Sequence, residues 1–105
     1  MTTEFVKVCN ENEIEEGKLT EVDIDDRPIA LAKFQGIVYA LDNICTHDGG
    51  TLSQGDVVKG QVQCPRHGAR FDLKTGTVTR MPAVLAIGAY EVRVENGEVY
   101  VAIPR

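Results

Sequence analysis

CTHDGGTLSQGDVVKGQVQCPRH, residues 45–67, decides how the chain is read. Two short clusters close this stretch at its ends, Cys45-Thr46-His47 and Cys64-Pro65-Arg66-His67, with the sixteen residues 48–63 between them. Each cluster offers one thiol and one imidazole, and His47 and His67 are the only histidines in the chain. Soft thiolates and borderline imidazoles converging from two loops make a donor set for a transition metal. A structural zinc also accepts two Cys and two His. Its usual spacing, however, sets two cysteines two to four residues apart and then two histidines three to five apart. Here each pair is mixed, and a single residue separates Cys45 from His47. A bare disulfide between Cys45 and Cys64 is the third use the thiols admit.

The surroundings of this stretch are those of a small globular domain. At 105 residues the chain makes one domain, large enough for a core of its own. Its 43% hydrophobic and 26% charged residues are an ordinary globular balance that argues against disorder. The start, Met1-Thr2-Thr3-Glu4, lacks the basic region and apolar run of a secretory signal. No apolar run approaches the roughly 18 residues of a membrane helix. The expectation is therefore a soluble, cytoplasmic protein; a monomer is expected as well. A formal net charge of −5 disfavours nucleic acid and anionic membranes, which require basic patches. The same acidity either favours encounter with basic faces on partner proteins or only keeps the protein in solution. Of three cysteines, Cys9 is left over, and an odd count argues against a disulfide framework. It ends the alternating run Phe5-Val6-Lys7-Val8-Cys9 and reads as a buried small apolar residue.

Outside the central stretch the periodicity is mostly two, with abundant Val, Ile and Tyr, which predicts short strands. Strands are expected at 4–9, 19–25, 28–34, 37–43 and 69–72, a hairpin at 57–64 around Lys59-Gly60, and a short strand at 77–79. Asn10 caps a single helical turn ending near Gly17. Asp25-Asp26-Arg27, Gln35-Gly36 and Lys74-Thr75-Gly76 are turns, Thr51-Leu52-Ser53 a further short one, and Met81-Pro82-Ala83 a loop. Asn96-Gly97 between the alternating runs 89–95 and 98–103 is the clearest hairpin signal. The sum is an antiparallel all-β protein of about nine or ten strands.

The pattern C-x-H, sixteen residues, C-x-x-H resembles the Rieske [2Fe–2S] family, in which two histidines replace two cysteines on one of the irons. The likeness runs on through His67-Gly68-Ala69-Arg70-Phe71-Asp72 and Leu73-Lys74-Thr75-Gly76, and covers essentially the whole chain. It resembles most the small ferredoxin components of bacterial ring-hydroxylating dioxygenase systems. The resemblance implies a β-sandwich base with a small cluster-binding subdomain, roughly 43–72, inserted between its strands. It implies Cys45 and Cys64 on one iron and His47 and His67 on the other. Gly49, Gly50 and Gly68 would serve turn geometry and bring backbone N–H groups close to sulfide, while Met81 and Pro82 would lie on a third loop over the cluster.

High-potential members of the family carry an extra cysteine in each loop, joined as a disulfide, and a serine and a tyrosine whose hydroxyls bond cluster sulfur. The matching positions here are Gly50, Arg66, Ala69 and Phe71, so the resemblance implies a potential in the lower third of the Rieske range. Arg66 and Asp48 flank the ligand positions and read as solvated loop charges rather than docking determinants. No vacant iron position, nucleophile–base pair or phosphate-binding loop is in sight, so the expected role is carrier, not enzyme. The resemblance implies a flavoprotein reductase upstream and a terminal oxygenase downstream. A Rieske-like subunit of another oxidase or reductase system, and a structural zinc module, are the alternatives.

Overall fold

The computed structural model describes residues 3–46, 49–81, 83 and 85–104. Among them the chain forms eleven strands: β1 (Thr3–Asn10), β2 (Leu19–Ile24), β3 (Arg27–Phe34), β4 (Ile37–Asp42), β5 (Asp56–Val58), β6 (Gln61–Gln63), β7 (Arg70–Asp72), β8 (Val78–Arg80), β9 (Ala89–Tyr90), β10 (Val92–Glu95) and β11 (Glu98–Pro104). They pair into three antiparallel sheets, ordered β1-β11-β10, β2-β3-β4-β9 and β5-β6-β7-β8. The fold is all-β, as the periodicity predicts.

The middle sheet separates two cores. Alternate residues on a strand point to opposite faces. Ile29 and Leu31 of β3, with Val38 and Ala40 of β4, therefore meet Val99, Val101 and Ile103 of β11 on one side. Ala32 and Leu41 of the same two strands turn to the other side, where they join Leu52, Val62, Phe71 and Leu73. With both faces covered, β3 has no use for alternation, and Ile29-Ala30-Leu31-Ala32 is a continuous apolar run with every member buried. The first and middle sheets form the sandwich, and the sheet β5–β8 lies in the chain between β4 and β9.

Four hairpins turn on two residues, both with positive φ: Asp25-Asp26, Gln35-Gly36, Lys59-Gly60 and Asn96-Gly97. That sign pattern belongs to the type I′ turn, whose twist matches the strands it joins. Three expectations need correction here. Arg27 is no longer part of the first turn, because it pairs with Ile24 and opens β3. The helical turn after Asn10 is a single 3₁₀ turn, Glu11–Glu13, ending well before Gly17; Ile14 is already extended and 3% exposed, so the pull of the core ends it. The run 89–95 is two strands rather than one, because it changes sheets at Glu91. Ala89 and Tyr90 pair with β4, whereas residues from Val92 onward pair with β11, and the Glu91 carbonyl accepts the Ala102 N–H at the crossing. This split carries the strand count among the described residues from the expected ten to eleven. Cys9 is half-buried against the sandwich core, and burial raises its thiol pKa.

Candidate metal centre

Three segments converge at one end of the sheet β5–β8. The first leaves β4 at Asn43, a polar side chain only 2% exposed. Its Oδ1 accepts the N–H groups of Leu52 (2.9 Å) and Ser53 (2.8 Å), while its Nδ2 donates to Ser53 Oγ at 3.1 Å. One amide thus ties the two ends of the first loop together, with both its oxygen and its nitrogen hydrogen-bonded. The second loop is the connection of the β6–β7 hairpin, closed by the Gln63–Arg70 pair and by Arg70 Nε donating to Gln63 Oε1 at 2.7 Å.

The two cysteines occupy turns of the same construction. The Cys45 carbonyl accepts the N–H of Gly49 (2.7 Å), and the Cys45 N–H donates to the carbonyl of Gly50 (2.7 Å). At identical offsets, the Cys64 carbonyl accepts from Gly68 (3.2 Å) and the Cys64 N–H donates to Ala69 (2.8 Å). Such a turn closes through a residue in the left-handed region, and Gly49 (φ 74°) and Gly68 (φ 76°) supply it. Gly50 is different: it lies outside that region, and a Cβ there would meet the Arg66 guanidinium, 2.4 Å from Cζ. Arg66 Nη2 also donates to the Thr51 carbonyl at 3.0 Å, so a side chain expected only to be solvated joins the second loop to the first.

Both cysteines are 0% exposed and share one apolar cluster with Leu52, Ala69 and Phe71, and no disulfide joins them. His67 is exposed. His47, Asp48 and Pro82 lie outside the described residues. Among the described residues no three His, Cys, Asp or Glu side chains gather closely enough to hold a single metal ion. The chemistry of the donors fits a Rieske centre nonetheless: two thiols sunk in apolar surroundings from matched turns, with an imidazole at the surface.

A third segment borders the first loop. The Thr46 hydroxyl donates to the Leu85 carbonyl at 2.6 Å. Ala83 and Ile87 are buried beside the cysteines, whereas Met81 and Leu85 are 76% and 64% exposed. Asp42 fixes the far end of this segment by accepting from Gly88 N (2.9 Å) and from the Tyr90 hydroxyl. Burial first, and then that Asp42 bond, raise the Tyr90 pKa. Asn43, Thr46 and Leu85 escape a reading of the sequence because their partners are distant along the chain.

A model of the Rieske [2Fe-2S] domain matches residues 4–91. The ferredoxin component of the naphthalene 1,2-dioxygenase system of Pseudomonas putida is 33% identical over 96 residues, covering 91% of this chain and 92% of that protein. The ferredoxin of carbazole 1,9a-dioxygenase from Nocardioides aromaticivorans IC177 superposes with a TM-score of 0.89 at 32% identity, over 92% of this chain and 95% of that one. A chain in the complex of reduced oxygenase and oxidized ferredoxin in carbazole 1,9a-dioxygenase matches with a TM-score of 0.86 at 33% identity, over 93% and 92% of the two chains.

Proposed function

We propose that this chain, which belongs to the Rieske [2Fe–2S] domain family, holds its cluster between Cys45 and Cys64 on one iron and His47 and His67 on the other. Its cofactor is a Rieske-type [2Fe–2S] cluster, and it is a one-electron carrier rather than a catalyst, like the ferredoxin components it resembles. When bound, the cluster supplies a one-electron acceptor and donor whose potential lies within about −150 to +300 mV. The observation that carries the ligand assignment is the pair of matched turns around Cys45 and Cys64. Two thiols on turns of like backbone hydrogen bonding, both buried in one apolar cluster, suit a cluster gripped from two loops.

The chain's own residues then divide the work. Leu52, Ala69 and Phe71 exclude water from the sulfur side. Asn43 and the two glycines hold the turns, and His67 at the surface offers a short way out for an electron. Residues 43–72 form the cluster-bearing insert of one domain spanning 1–105, with β8 closing its sheet. The carrier accepts electrons from a flavoprotein reductase and delivers them to a terminal oxygenase. Support for the downstream partner is the likeness to the ferredoxin chain solved with a carbazole 1,9a-dioxygenase oxygenase. It works as a cytoplasmic monomer. No helix among the described residues is long and apolar enough to cross a membrane.

Purified protein should be coloured, carry two irons and two acid-labile sulfides per chain, and give a mixed-valence paramagnetic signal after dithionite. Colourless protein holding a single zinc would overturn the assignment. Reconstitution with a reductase and an oxygenase tests the route; fast reduction without delivery to any oxygenase would point to another oxidase or reductase system.

A further inference from the structure

Arg66 stands in the second cysteine turn, next to His67, yet its side chain belongs equally to the first. Its guanidinium lies on the Cα face of Gly50 so closely that a Cβ would sit 2.4, 2.5 and 2.7 Å from Cζ, Nη2 and Nε. The same group donates to the Thr51 carbonyl at 3.0 Å. Gly50 is not in the left-handed region, so its backbone does not require glycine. What a side chain here would displace is the guanidinium, which rests where a Cβ would stand. Gly50 is itself fastened to Cys45, whose N–H its carbonyl accepts at 2.7 Å. The chain of contacts is therefore Cys64 turn, Arg66, Gly50, Cys45.

We propose that Arg66 is a positioning residue for the cluster: a clasp that holds the two cysteine turns at their working separation and a fixed positive charge beside them. This rests on the ligand assignment above. The clasp follows from geometry. A planar, always charged fork can lie flat on a glycine and hydrogen-bond a carbonyl at once, which a lysine ammonium cannot. The charge follows from electrostatics. Adding an electron makes the site more negative, and a nearby cation favours that state, with a strength that falls as salt screens an exposed group.

The two roles separate in four variants of the intact, cluster-loaded protein: R66K, R66Q, G50A and the double variant G50A/R66Q. Bleaching of the visible absorption in the presence of an iron chelator reads the clasp. R66K and R66Q should both bleach about tenfold faster than wild type, the loss expected of one charge-assisted hydrogen bond. G50A pushes the guanidinium away and should bleach faster too. The double variant should be no faster than R66Q, because both changes remove the same contact. Redox titration reads the charge: R66Q should titrate below wild type, by less at high salt, while R66K keeps the wild-type potential. Bleaching at the wild-type rate in all four variants would overturn the clasp, as would additive effects of G50A and R66Q. Equal potentials in R66K and R66Q would overturn the charge role. Colourless wild-type protein would instead sink the ligand assignment, which keeps the two failures apart.

Discussion

Ala69 and Phe71 are fully buried in the same apolar cluster as Cys45 and Cys64, and neither offers a hydroxyl. Hydrogen bonds to sulfur favour the reduced state, so the lack of a hydroxyl at these two positions is expected to keep the potential in the lower part of the Rieske range. Ala69→Ser and Phe71→Tyr should each raise it in redox titration. A bond worth about 1 kcal/mol more in the reduced state corresponds to ~40 mV for one electron. An unchanged potential in both would remove the argument, and for Phe71→Tyr the new hydroxyl would then cost stability as an unpaired buried group. At this scale the sequence displays the residue types that iron chemistry restricts. Cys45, His47, Cys64 and His67, the proposed ligands, stand out because few side chains bind a transition metal and their spacing is local. Asn43, Thr46 and Arg66 act through partners 9–10, 39 and 15 residues away, which no local pattern reveals. Gly50 and Arg66 show in sequence only that two cysteines are missing; that these two positions touch is known from the fold.

Among the elements, the β3–β4 hairpin shows how a strained turn is held from outside. Gln35 has a positive φ of 54° without being glycine, a conformation that costs about 1 kcal/mol. Glu16 reaches across to accept the N–H groups of Gln35 (2.6 Å) and Gly36 (2.9 Å). These bonds, Gly36 first, lower the Glu16 pKa. A depressed carboxylate stabilises the folded state above its unfolded pKa and loses that contribution as the pH falls through its folded value. Amide exchange at Gly36, corrected for the intrinsic pH effect, should therefore lose protection below the ordinary carboxylate range. Glu16→Gln should accelerate it severalfold at neutral pH and abolish that acid step; a retained acid step would assign it elsewhere. A second device is Gly55, where a Cβ would fall 1.9 Å from the Gln63 carbonyl oxygen. Gly55→Ala should cost about 1–3 kcal/mol by urea denaturation, and a variant as stable as wild type would contradict this close approach. Strands other than β3 were legible from alternation, and Asn96-Gly97 from its turn chemistry. The break at Glu91 was not, because period two continues unbroken through it while the partner strand changes.

Across the whole molecule, the cysteine turns pack into the core shared with the sheet β5–β8, and the middle sheet separates that core from β10 and β11. A carrier must bring its metal edge against a partner briefly, so that face has to attract without holding fast. Ile44 beside Cys45 is 43% exposed, and Leu85, whose carbonyl bonds Thr46, is 64% exposed, with Met81 on the same third segment at 76%. Exposed apolar side chains around an otherwise acidic molecule are suited to a contact face. Leu85→Asp should slow electron delivery to the oxygenase about tenfold, the effect of losing ~1.4 kcal/mol at a central contact. Its visible spectrum and potential should stay those of wild type, since Leu85 contributes its backbone rather than its side chain to the first loop. Val94→Asp, on β10 across the middle sheet and 40% exposed, is the control and should leave delivery unchanged. Equal slowing by both would reduce the effect to added negative charge on a chain already at −5. No slowing by Leu85→Asp would move the contact away from the third segment and leave the exposed edge of His67 to meet the partner through the second loop alone.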